Sequence, residues 1–141
     1  MSLKHDHKPI ECEDAVLGIC IFLGGSSFNE AKQLLKGDHI FYNYDNASIF
    51  KAMDQLNERF APIDILTVTN ECLDFGNTVS GDTWAYTVSL KLNAFACPNQ
   101  NNLRQYCLIL LEHYMKRERK KALAKIESGG DELEIATELN D

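Results

Sequence analysis

The sequence predicts an all-α fold: a small helical bundle head followed by a long helix that begins an αα-hairpin. Three observations predict it. Apolar residues recur at three- and four-residue intervals in separate stretches, as one face of a helix requires. Turn formers punctuate those stretches at Gly24-Gly25, Pro62 and Ser128-Gly129-Gly130. A chain of 141 residues, 45% apolar and 25% charged, has the size and composition of one soluble globular domain. It divides into a polar, disordered tail at 1–8, a helical head at 9–100, and the long helix with a truncated hairpin arm at 101–141.

The first helix is expected from about Glu11 to Leu23. Its later turns are apolar all round, so it belongs at the centre of the bundle, with Gly18 permitting close approach of a neighbour. Its acidic start suits the positive end of the helix dipole. Gly24-Gly25-Ser26-Ser27 stops it, Asn29 caps a short helix over Glu30–Lys36, and Gly37 ends that helix. The central stretch Phe41–Phe75 reads as helix, tight corner, helix. Ile49, Phe50, Met53, Leu56 and Phe60 share a face, with Asn43 or Asp45 as N-cap. Pro62 ends the pattern. Asp64 caps the next helix with Thr67 three residues on, and Ile65, Val68, Cys72 and Phe75 continue the buried face.

A loop of turn formers, Gly76–Thr83, precedes a helix over Trp84–Phe95. Its aromatic residues, at helical spacing in an acidic chain, suit the core, with a base-stacking patch as the alternative. After a break at Ala96–Gln100, the run Asn99–Asn102 offers an N-cap for the longest helix, about Leu103 to Glu127. Its apolar residues exceed one face and must be covered, by self-association or by burial within the chain; the first makes Tyr106, Leu110, Leu111 and Tyr114 the candidate self-association residues. Lys116, Arg117, Arg119, Lys120 and Lys121 form the basic cluster. They read as a solvated face complementing the dipole or as candidate nucleic-acid contacts. Asp131–Asp141 begins the second arm, with Leu133, Ile135, Ala136 and Leu139 on one side.

Several functions lack their residues. The formal charge of −7 disfavours phosphate binding overall. No GxxxxGK[ST] or GxGxxG spacing occurs. His5 and His7 stand without a ligand set at metal spacing, and Asp38-His39 has no nucleophile arrangement beside it. No stretch is long and apolar enough to span a bilayer, and no signal peptide is apparent. The five cysteines are odd in number and lack CxxC spacing, which fits free thiols in the cytoplasm.

In order along the chain stand ECEDAVLG (Glu11–Gly18), FY (Phe41-Tyr42), IFKAM (Ile49–Met53) and PIDILTV (Pro62–Val68). Ala85-Tyr86 with Leu90, and Asn102 with Tyr106, follow. Together these resemble the amino-terminal domain of DnaB-type replicative DNA helicases from about Pro9 to Ile126. The sequence departs from that pattern at Cys12, Cys72 and Asn46 (where a histidine is common), and at Leu108 and Leu111, often basic in the family. These departures leave the fold intact and bear on partner choice, which resides on exposed positions such as these.

The resemblance implies a non-catalytic collar domain, not an enzyme, that oligomerises as dimers on a ring-shaped hexamer. It implies docking of primase and, in some systems, of loader proteins during DNA replication. ATP, Mg and most DNA contact belong to a separate motor domain, so no cofactor is expected for this chain. Two other functions compete: a standalone helicase-binding regulator, and a small single-strand nucleic-acid-binding protein using Trp84 and the basic cluster.

Overall fold

The computed structural model describes residues 10–73 and 100–128. Within them the chain forms α1 (Ile10–Leu23), α2 (Gly25–Leu35), a single 3-10 turn at Asp38–Ile40, α3 (Tyr44–Glu58), α4 (Ile65–Leu73) and α5 (Leu103–Glu127). A 3-10 turn at Gln100–Asn102 leads into α5, and no strand occurs among the described residues. The expectations for the tail with His5 and His7, for Phe75, for Gly76–Thr83, for Trp84–Phe95 and for Asp131–Asp141 lie outside those residues.

Helix α1 is central, as its all-round apolarity requires. It packs against α2, α3 and α5, and α4 packs on α3. Val16, Ile19 and Cys20 meet Phe28, Leu35, Phe50, Met53, Leu103, Cys107 and Leu110 in one core. The Phe50 ring lies 4.9 Å from Phe28 and 5.0 Å from Phe41, both tilted, within the favourable range for aromatic pairs.

Gly24 alone interrupts the first two helices. Its φ of +88° is a conformation that glycine adopts without steric cost, and Gly24 N–H closes α1 on Cys20 O at 2.9 Å. Helix α2 restarts at Gly25, five residues earlier than Asn29 capping would allow. Asn29 therefore lies inside α2, where its side chain accepts from Asn57 Nδ2 at 2.7 Å. The left-handed residue that ends α2 is Lys36, not Gly37. Gly37 serves space instead, since a Cβ there would meet His39 Nδ1 at 2.9 Å.

Two caps form as the sequence suggests. Asn43 Oδ1 accepts from Asn46 N–H at 3.0 Å to start α3. Asp64 and Thr67 exchange bonds at the start of α4, Thr67 N–H to Asp64 Oδ1 at 2.8 Å and Asp64 N–H to Thr67 Oγ1 at 2.9 Å. Asn102 occupies the cap position of α5 but makes no side-chain capping bond. Phe60 departs from expectation: it does not continue the buried face of α3 but stands 95% exposed with φ +59°. Helix α3 ends two residues before it, so the helical spacing that placed it inward no longer applies. Across the corner Arg59 grips Glu71 with two guanidinium nitrogens, which holds the Glu71 carboxyl below its ordinary range.

Four free cysteines lie among the described residues, and Cys20, Cys72 and Cys107 are buried. Burial pushes the Cys20 thiol up, and the Cys107 thiol to about 12, so neither holds a reactive thiolate near neutrality. Half-buried Cys12 is also raised, by burial first and then by Glu11 and Glu13. In the native protein, iodoacetamide should modify Cys12 slowly and leave Cys20, Cys72 and Cys107 unlabelled until denaturant is added. Mass spectrometry of the labelled peptides checks this.

Candidate functional site

The long helix α5 has two apolar sides. At about 100° per residue, Leu103, Cys107, Leu110 and Tyr114 fall on one side, and Leu108, Met115 and Ile126 fall about 120° round from them. The first side builds the head: Leu103, Cys107 and Leu110 are fully buried, with Tyr106, Leu111 and Tyr114 partly buried against them. The second side is open in part: Leu108 is 40% exposed, Met115 42% exposed, and Leu123 and Ile126 more so, while Ala122 on the same side is buried. Leu108, Leu111, Met115, Leu123 and Ile126 lie within an arc of about 120°.

This geometry sorts the candidate self-association residues. Leu110, at 0% exposure, is committed to the chain's own core and has no surface left for a partner. Its neighbours on the helical net point the same way, so a face chosen at intervals from Tyr106 selects the inner side. Tyr106 and Leu111 lie at its borders, and Tyr114 continues it further along the helix, half-buried. The outer stripe, with Leu108 and Met115, is the surface that composition alone did not separate from the inner one.

The candidate nucleic-acid residues do not converge on one face. Lys116, Arg117, Arg119, Lys120 and Lys121 spread over about 200° of the helix. Lys116 pairs with Glu112 at 3.5 Å and Lys121 with Glu118 at 3.1 Å, both between neighbouring turns. Arg117 turns toward the head. It donates to Ile40 O at 2.8 Å, and its guanidinium lies 5.5 Å from the Tyr42 ring and 5.7 Å from the Tyr114 ring. His39 meets Tyr114 edge-on at 5.4 Å beside it. Burial, Lys116 and Arg117 together lower His113, favouring its neutral form.

Beneath that joint sits a buried carboxylate. Glu13, on the first turn of α1, is fully buried and accepts from Tyr42 N–H at 2.5 Å, Asn43 N–H at 3.3 Å and Asn46 Nδ2 at 3.0 Å. Asn46 Nδ2 also reaches Asp14 Oδ1 at 3.1 Å. Burial raises the Glu13 carboxyl above its ordinary range, while Asn46, the two backbone N–H groups and Arg117 oppose the shift. The sequence showed Glu13 only as an acid suited to a helix start. Asn46 and Cys72 prove to be interior, so these departures from the family pattern alter the core rather than a partner surface. No group of three or more His, Cys, Asp or Glu among the described residues could hold a metal ion. No helix among them is long and apolar enough to cross a membrane.

Residues 5–112 match the family model of the DnaB-like helicase N terminal domain. The chain is 33% identical over 120 residues to a replicative DNA helicase, DnaC, of Bacillus subtilis (strain 168), covering 82% of this chain and 25% of that protein. It thus spans about a quarter of the length of that curated relative. Its fold is similar to the crystal structure of the N-terminal domain of DnaB helicase from Mycobacterium tuberculosis. The TM-score is 0.74 at 20% identity, over 93% of this chain and 92% of that one.

The Glu13 cluster yields a stability prediction with a defined pH trend. Glu13→Ala leaves buried N–H groups without their acceptor and should cost about 3 kcal/mol. Glu13→Gln cannot titrate and should cost about 1–2 kcal/mol, because its amide turns donors toward donors. A folded-state pKa above the unfolded one gives stability that is fully present below the unfolded pKa and lost as pH rises through the folded one. The cost of Glu13→Gln should therefore be larger at pH about 4 than at pH about 7. Urea denaturation at both values measures it.

Proposed function

This chain belongs to the DnaB-like helicase N-terminal domain family, the non-catalytic part of a replicative DNA helicase, and we propose that it works as an assembly and docking module. In this reading the head, 9–100, is a rigid support and the arm, 101–141, joins copies of the chain into dimers or larger species. The assembled collar then receives primase or a loader protein. ATP, Mg and most DNA contact fall to a motor domain, and the setting is the cytoplasm.

The observation that carries this reading is the outer stripe of α5. A helix whose inner face already completes a core, and whose outer face still offers Leu108, Leu111, Met115, Leu123 and Ile126, has apolar surface to bury against another helix. A second copy of the same stripe matches it, as two-fold assembly requires. Exposed Glu112 lies within the arc of the stripe and exposed Lys116 just beyond one edge of it, and this pair of opposite signs can set orientation there.

Light scattering after gel filtration should give a dimer or larger species for the whole chain. Leu108→Glu with Met115→Glu should weaken association by about tenfold or more, because two desolvated anchors become charges. Circular dichroism should show unchanged helicity, since neither side chain is in the head core. By contrast Leu110→Glu should unfold the head. A strict monomer at high concentration would overturn the assembly role.

A further inference from the structure

Helix α3 ends in a Schellman turn. Ala61 N–H donates to Leu56 O at 2.9 Å and Phe60 N–H to Asn57 O at 3.1 Å, which places Phe60 at the left-handed position after the cap. Glycine is favoured there because a Cβ crowds the backbone when φ is positive, and Phe60 has φ +59°. A bulky side chain in that conformation is a genuine outlier. Burial could offset the strain, but Phe60 is 95% exposed and packs on nothing in its own chain. Leu66, on the outward side of α4, is 79% exposed, and exposed Pro62 lies between them in sequence.

The frame around these residues is stiff. Arg59 and Glu71 clamp α3 to α4, and the Asp64–Thr67 exchange fixes the entry to α4. A side chain held out by such a frame loses little freedom on binding. Its charge is acidic: Glu58 and Asp64 flank the apolar residues, while Arg59 is engaged by Glu71. Nucleic acid would be repelled. Two copies meeting corner to corner would set the same acids against each other. Three apolar residues are also far too few for the 1,200–2,000 Å² or so of a stable dimer, but they suit an anchor that enters a pocket.

We infer that the α3–α4 corner is a docking knob for a different protein, one that presents an apolar pocket with a basic rim. The site goes beyond the collar reading and uses no residue of α5. It accounts for Phe60: a conformation that costs stability is kept where its side chain has a partner to enter.

The test uses the whole chain as bait for a phage-displayed library of random peptides, with Phe60→Gly and Leu66→Ala as comparison baits. Selected peptides should combine apolar side chains with net positive charge, and added salt should weaken their binding. Both variants should bind them about tenfold more weakly or worse. Phe60→Gly should at the same time raise the melting temperature by about 3 °C, by relieving the left-handed residue. Light scattering should show the oligomeric state of both variants unchanged, which separates this site from the arm. The inference is overturned by peptides that bind the variants as well as the wild type, by a selection that yields no binder, or by a fall in melting temperature for Phe60→Gly.

Discussion

Glu13 accepts three hydrogen bonds in a place where no water reaches it, and the arrangement of the head follows from them. Tyr42 and Asn43 give their backbone N–H groups to it, and Asn46 gives its amide. Tyr42 and Asn43 form the turn between the 3-10 segment and α3, and Asn46 lies in the first turn of α3, so the carboxylate fixes where α3 begins relative to α1. The Asn43 cap, the Phe41–Phe50 ring pair and the path of Ile40 all depend on that placement. A buried charge with good partners is costly to break because the groups left behind cannot turn to solvent. Apolar contact among core residues such as Val16, Ile49 and Phe50 is non-directional and would tolerate sliding. The carboxylate and its donors allow one register.

Helix α5 serves two surfaces at once, which explains why its sequence looks excessive in apolar residues for one helix. Cys107 and Leu110 close the head, while Leu108 and Met115 face away from it. A helix with a single apolar face separates core from solvent. One with a second apolar face has surface left beyond its own bundle, which is what the proposed assembly role would use. The basic residues between Lys116 and Lys121 fit the same arrangement. Spread around the helix and tied to Glu112, Glu118 and the head, they keep the arm polar between its apolar sides rather than forming one cationic surface.

Much of the fold was legible because it depends on local chemistry. Asn43, Asp64 and Thr67 announce their caps by spacing, and the apolar run of α1 announces its central position. What was not legible depends on partners distant in sequence. Glu13 and its three donors are separated by about thirty residues, and an acid in a first turn reads as a dipole complement without them. Leu110 and Leu108 are chemically alike and two positions apart, so only the docked head decides which one is interior. Phe60 failed differently: its spacing from Leu56 is helical, but the helix had already ended at Glu58. Asn29 looked like a cap because the glycine pair before it looked like a longer break, whereas Gly24 alone makes the turn. The family resemblance survived these misreadings because FY, IFKAM and PIDILTV lie on elements whose local signals were sound.

The position of the arm raises a question of register. Leu103, Cys107, Leu110 and Tyr114 repeat at three- and four-residue intervals, so apolar packing alone would let α5 slip along the head by one turn with modest loss. Arg117 removes that freedom. Its bond to Ile40 O and its place against the Tyr42 and Tyr114 rings exist at one register only. Ile40 and Tyr42 belong to the segment that Glu13 pins, so the position of α5 is referred through Arg117 to the first turn of α1. The direction in which Leu108 and Met115 face is then set by a chain of polar contacts within the head. The proposed assembly surface would gain from such referencing, because a slip of α5 along the head would shift its anchors.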